Sequence, residues 1–446
     1  MTCSKDLSFE ECELAILRMN ADKIEKEQGK LLVESSETKK IIKIVESFIK
    51  QKKLIIYGGT AINNILPESD RFYDYGYELP DYDFFSKDAL DNAKELADIY
   101  VKEGFTNVEA KAGLHHGTYK VFVNNLGIAD ITYLHPEIFE CLQKDLIRIK
   151  GLLYAPANFL RQSMYLELSR PKGDVSRWEK VLKRLTLLNK YYPLKLKPCK
   201  SFQRKMETTQ LDEKKIFAIV KKCFIDEKLV FIGGYANALY AQYLPNHKIE
   251  DLPDFDVLSE DPVKTCDTVK NKLEKEGLKV KINKYPEIGE LISEHYSIQI
   301  DEEYIAFVYK PTACHSYNEI KLGKNKEPVR IGTIDTLLSF YMAFMYADRE
   351  YYDINRLLCL STMLFNVQQR YRLKQSGLMK RFSMECYGNH VTLSDIRDIK
   401  SEKRNKIDLD SKEYEEWFLN YNPLKTKSKS KNKSKKQKQT KKQKKK

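Results

Sequence analysis

The chain has 446 residues, 42% of them apolar, enough for two or three domains around a large core. Its formal net charge of +13 sits in one place: the 22 residues Lys425–Lys446 hold 13 lysines and no acid, leaving 64 basic against 64 acidic side chains elsewhere, so overall charge does not argue for a basic body. Nine scattered cysteines without a C-x-x-C pair argue against a disulfide framework or a structural zinc site and fit a reducing compartment, and no run approaches the ~20 apolar residues of a membrane span.

The first 35 residues read as a charged helix with a thin apolar stripe, and the acids Asp6, Glu10 and Glu11 are not those of a signal peptide. From Ser36 a clearer helix follows, with Ile41, Ile42, Val45, Phe48 and Ile49 at helical spacing. Leu54-Ile55-Ile56-Tyr57 then makes a short buried strand, which Gly58-Gly59 ends. Leu79 to Ser86 alternates as a strand, and Gly127 to Leu134 reads as another. After residue 150 the pattern turns helical. Leu160, Met164, Leu166 and Leu168 precede Ser169-Arg170-Pro171-Lys172-Gly173, and a second helix is capped by Asp174, with Val175, Trp178, Leu182, Leu185 and Leu188 as its apolar face.

The chain then repeats itself. Leu54–Asn63 returns as Leu229–Ala238, glycine pair included. Leu79-Pro80-Asp81-Tyr82-Asp83 returns as Leu252-Pro253-Asp254-Phe255-Asp256, Lys102–Phe105 as Lys275–Leu278, and Tyr119–Val123 as Tyr296–Ile300. A spacing of about 175 residues is far too long for a solenoid and indicates a duplicated domain. The fold expected is α+β: a duplicated nucleotide-handling domain with helical segments. The boundaries expected are an N-terminal helical region 1–35, a first copy 36–150, a helical extension 151–205, a second copy 206–335, a helical part 336–424, and a Lys-rich tail 425–446. The tail is low-complexity sequence that cannot bury a core and should be disordered.

Asp81 and Asp83 are i and i+2, hence on one face of a strand and roughly 7 Å apart at Cα. Paired carboxylates repel unless a cation lies between them. Asp130 is the third acid, with apolar strand formers around it and no partner nearby in sequence. Asp81, Asp83 and Asp130 are therefore the expected metal ligands and catalytic residues. They suit two Mg²⁺ or Mn²⁺ ions about 4 Å apart that activate an RNA 3′-hydroxyl and stabilise leaving pyrophosphate. Gly58, Gly59 and Thr60, opening a helix, are the expected nucleotide-binding residues, because backbone N–H groups there can approach a triphosphate. In the second copy Asp254 and Asp256 persist, but Phe307 stands where Asp130 would be. That copy is expected to keep the fold and lose the activity.

Tyr57–Asn63, Leu79–Ser86, Ile128–Ile131 and the long segment Ser163–Val181 resemble the catalytic subunit of poly(A) polymerase from poxviruses and related large cytoplasmic DNA viruses. That family is polymerase-beta-like. The resemblance runs from about residue 36 to 365. It implies a template-independent polynucleotide adenylyltransferase, ATP as donor, single-stranded RNA (an mRNA 3′ end) as acceptor, and a setting in the virion and the infected-cell cytoplasm. The resemblance also implies a processivity partner, a cap methyltransferase subunit in the poxvirus enzyme; a homodimer would serve the same purpose. The Tyr- and acid-rich stretch Ser69–Glu78 lengthens the usual interval between glycine pair and acids. Arg170, Lys172, Arg177 and Lys180, with Trp178 and Tyr165 nearby, are the best local basic cluster for tracking RNA, with a solvated helix face as the plainer reading. A CCA-adding or uridylyl transferase would carry the same acids. A non-catalytic RNA-binding scaffold is the alternative of a different class.

Overall fold

A computed structural model describes residues 6–194, 212–245, 254–323, 326–371 and 373–425. The chain divides into two compact units, one of residues 1–134, 146–155 and 396–446, the other of residues 135–145 and 156–395. The Lys-rich tail beyond residue 425, and Leu252 and Pro253 of the repeat, lie outside the described residues.

The first unit opens with helix α1 (Phe9–Glu34), capped by a reciprocal Ser8–Glu11 box. None of its residues is buried, so the thin apolar stripe finds no core. Helix α2 (Ser36–Lys52) behaves as its pattern dictates. Ser35 caps it, Ile41, Val45, Phe48 and Ile49 are buried, and Lys53 ends it in the left-handed region. Burying each of those large side chains contributes about 1.5–3 kcal/mol, which fixes α2 against the sheet. That sheet is built from β1 (Ile55–Ile56), β2 (Tyr82–Ser86), β3 (Val108–Ala112), β4 (Thr118–Val123), β5 (Leu126–Tyr133), β6 (Ile147–Ile149) and β7 (Leu152–Tyr154), in the order β3-β4-β5-β2-β1-β7-β6. Helix α3 (Gly58–Ile65) follows β1, and α4 (Ala89–Lys102) follows β2.

The second unit contains α5 (Pro136–Gln143), α6 (Ala157–Leu168), α7 (Trp178–Tyr191) and α8 (Glu213–Asp226), then β8 (Val230–Phe231), α9 (Gly234–Ala241), β9 (Phe255–Leu258), α10 (Pro262–Lys275), β10 (Val280–Tyr285), β11 (His295–Ile300), β12 (Glu303–Tyr309), β13 (His315–Leu322) and β14 (Glu327–Gly332). Helices α11 (Ile334–Phe344) and α12 (Ile354–Arg370) and strand β15 (Cys386–Tyr387) complete it. In α7 the buried face is Val181, Leu185 and Leu188, while Val175 is exposed in the turn before the helix.

The duplication is exact in topology over seven strands. The second sheet runs β10-β11-β12-β9-β8-β14-β13. Each pair has the sense of its counterpart: β8–β9 antiparallel like β1–β2, β12–β9 parallel like β2–β5, and β14–β8 parallel like β1–β7. The eighth strands differ. In the second unit β15 pairs with β13, and a disulfide joins Cys314 to Cys386 across 72 residues. This corrects the expectation drawn from the scattered cysteines, since spacing along the chain does not reveal a pair that strand pairing brings together. In the first unit the eighth strand is β16 (Asn420–Tyr421), on the open edge of β3. It follows helices α13 (Leu393–Lys406) and α14 (Lys412–Phe418), so the C-terminal segment returns to the first unit.

Candidate functional site

The short strand β1 ends at Tyr57, and Gly58 opens α3 with φ +71°. A side chain there would be strained, and a Cβ on Gly58 would stand 2.7 Å from Asp83 Oδ2. The glycine is thus required twice, by its backbone and by the carboxylate lying against it. Gly59 continues the first turn of α3, whose N–H groups have no partners within the helix.

Asp83 lies on β2 directly opposite Asp130 on the parallel strand β5, so both carboxylates rise from the same face on adjacent strands. Asp81 precedes β2 and is exposed. The site's paired acids are therefore Asp83 and Asp130 across two strands, rather than Asp81 and Asp83 along one. Thr60 is buried, and its hydroxyl donates to the carbonyl of Asp81 at 2.5 Å. Thr60 thereby ties the start of β2 to α3. Among the described residues no three acidic, His or Cys side chains close into a ready metal cage.

All three acids nevertheless act on one neighbouring group, Tyr57. Tyr57 stacks on Phe85 with ring centroids 3.8 Å apart, and its hydroxyl lies 2.8 Å from Thr132 Oγ1. Burial pushes its phenol well above the usual range, and Asp83, Asp130 and Asp81 each push it further, against the Thr132 hydrogen bond. The phenol stays protonated, held against Phe85 and Thr132. Opposite Asp130 on β4 stands Lys120, whose ammonium donates to Asp130 Oδ2. Asp130 thus has a partner ten residues upstream, correcting the reading of it as an isolated acid, and its side chain is only partly buried. Two hard carboxylates abreast supply oxygen donors that fit a divalent cation, and the N–H groups opening α3 at Gly58 fit the phosphates such an ion would accompany.

The second copy shows what a closed version looks like. Asp256 faces Phe307 on β12, so an aromatic occupies the Asp130 position by register as well as by alignment. Asp254 is fully buried and accepts from Arg356 Nη2 of α12 at 2.5 Å. A guanidinium, itself 14% exposed, pairs with one oxygen of that acid from within the unit.

The basic cluster is partly used inside its own unit. Arg177 pairs with Glu167 at 3.1 Å, and Trp178 donates from its indole to the Glu167 carbonyl. Arg170 is held mostly inside, where burial lowers its pKa. Lys172 and Lys180 are exposed. Sequence reasoning missed Tyr57, Lys120 and Arg356. Lys120 left a trace as the outward residue of an alternating hairpin strand, whereas Arg356 lies 102 residues from its acid and left none.

A sequence model of the poly(A) polymerase catalytic subunit family matches residues 43–174, which include Gly58, Asp83, Lys120 and Asp130. A protein of African swine fever virus described as a poly(A) polymerase catalytic subunit is 35% identical over 167 residues, covering 36% of this chain and 34% of that protein. A mimivirus protein of the same description is 30% identical over 162 residues, 35% of this chain and 27% of that one. The chain therefore aligns with about a third, or less, of these relatives' length. The crystal structure of the Megavirus polyadenylate synthase superposes with a TM-score of 0.79 at 21% identity, over 96% of this chain and 88% of that one, which shows the fold. Residues 43–174 thus match the poly(A) polymerase catalytic subunit family, within a chain that has the fold of the Megavirus polyadenylate synthase.

Proposed function

We propose that the first unit transfers AMP from ATP, without a template, to the 3′ end of single-stranded RNA, an mRNA 3′ end in the family's setting. The observation that carries this is the register placing Asp83 beside Asp130 and against Gly58. The 3′-oxygen attacks the α-phosphorus, the bond to the β-phosphate oxygen breaks, pyrophosphate leaves and the hydroxyl proton passes to solvent water. Asp83 and Asp130, completed by Asp81, would hold Mg²⁺ or Mn²⁺. When bound, such ions acidify the hydroxyl and offset charge on the pyrophosphate.

The chain's own residues do the rest. Gly58 and Gly59 turn the first N–H groups of α3 toward the triphosphate, where the helix end favours negative charge. Thr60 holds the backbone of Asp81, and Tyr57, kept neutral, supports the face from which the acids rise. Lys172 and Lys180 are the exposed cations offered to the RNA backbone, with Arg170 and Arg177 supporting the same stretch. The second copy serves as scaffold, its Asp254 paired with Arg356. No described helix is long and apolar enough to cross a membrane.

Primer extension on single-stranded RNA, with each nucleoside triphosphate given separately and with Mg²⁺ or Mn²⁺, tests the reading. Long products from ATP alone are expected. Short CTP- or UTP-dependent products, or no incorporation at all, would overturn it.

A further inference from the structure

Lys120, Asp130 and Asp83 stand in one row across β4, β5 and β2, each directly opposite the next, so their side chains share one face of the sheet. Two carboxylates abreast repel. In the absence of a metal, the ammonium of Lys120 offsets that repulsion by pairing with Asp130. The pair is half open to solvent, with side-chain exposures of 44% for Lys120 and 25% for Asp130. Ion pairs this exposed are weak, and a lysine reaches its partner on a four-carbon stem that can swing away.

The second copy supplies the comparison within the same chain. Its corresponding row is Ser297, Phe307 and Asp256, with no lysine. There the cation is Arg356, which reaches Asp254 from α12 with 14% exposure against a carboxylate of 0%. A planar guanidinium buried on a buried acid is a fixture, because removing either charge strands the other. Both copies thus pair one of their acids with a basic side chain, but only the first does so with a half-exposed group that can swing away.

We propose that Lys120 is a displaceable placeholder for the divalent cation. Its ammonium holds Asp130 in place while no metal is bound and yields that oxygen when the ion enters. The inference rests on the reading of Asp83 and Asp130 as metal ligands. Lys120 acts through Asp130 and is a positioning residue. Metal entry is then an exchange of one cation for another, and the metal-free chain keeps its acids apart without distorting the sheet.

Mn²⁺ titration of the full chain by calorimetry, without nucleotide, reads this directly, with thermal unfolding recorded with and without Mn²⁺. Lys120→Gln removes the competitor. It is expected to bind Mn²⁺ roughly three- to tenfold more tightly than wild type, in keeping with the worth of an exposed to half-exposed pair. It should also melt lower without metal and gain more on adding it. Lys120→Arg keeps the charge and should stay within about twofold of wild type. Lys120→Met provides a second neutral variant should the glutamine fail to fold. Unchanged or weaker Mn²⁺ binding in the neutral variants, alongside clear loss in Asp130→Asn, would overturn the placeholder alone. Equal binding by wild type and Asp130→Asn would overturn the reading of the acids themselves.

Discussion

Gly58 joins backbone and chemistry in one residue. Its φ of +71° costs an L-residue about 1–2 kcal/mol, and an added methyl would press on Asp83 Oδ2. Gly58→Ala is therefore expected to lose about that much stability by chemical denaturation and at least about tenfold in AMP incorporation, since a displaced reacting group costs rate steeply. Wild-type incorporation in a stably folded Gly58→Ala chain would show that the carboxylate of Asp83 needs no such clearance. At this scale the sequence was informative where a residue type has few uses. A glycine pair after a strand, and an acid among apolar strand formers, announce themselves. Lys120 does not, because one lysine in an alternating strand looks like any solvent-facing residue until the register puts it opposite Asp130.

The duplicated strands were legible because each copy carries the same short strand, glycine turn and acid-bearing strand in the same order at nearly the same spacing. The additions at the sheet edges were not. Strand β16 is two residues long, too short to carry a period, and it closes the β3 edge through pairing with Ala110 and Lys111. The segment before it is tied down by Lys94–Glu415, by the hydroxyl of Tyr119 donating to the Glu416 carbonyl, by Lys400 on the Gly113 carbonyl, and by buried Leu419. Deleting residues 411–446 should therefore destabilise the first unit by at least about 2 kcal/mol, through loss of the Leu419 burial and an uncovered strand edge. Deleting only residues 426–446 should leave unfolding unchanged. Differential scanning fluorimetry on the two truncations separates them, and equal melting of both would mean that β16 contributes nothing to the sheet.

Across the whole molecule, one ancestral domain occurs twice with different outcomes. Both copies keep the glycine pair, the flanking acids and the seven-strand order. The first keeps Asp130 beside Asp83 and pairs a half-exposed lysine with Asp130, whereas the second sets Phe307 beside Asp256 and pairs Asp254 with a buried arginine. On the proposed reading, retained acids alone do not mark a working site; the neighbour across the strand does. The comparison that tests this most directly is primer extension by Asp83→Asn and Asp256→Asn in the full chain, each checked for folding. Asp83→Asn should lose AMP incorporation by at least about a hundredfold, the scale of removing a group that acts in the transition state. Asp256→Asn should keep most of it. Equal loss from both, or activity surviving Asp83→Asn, would contradict the assignment of catalysis to the first copy.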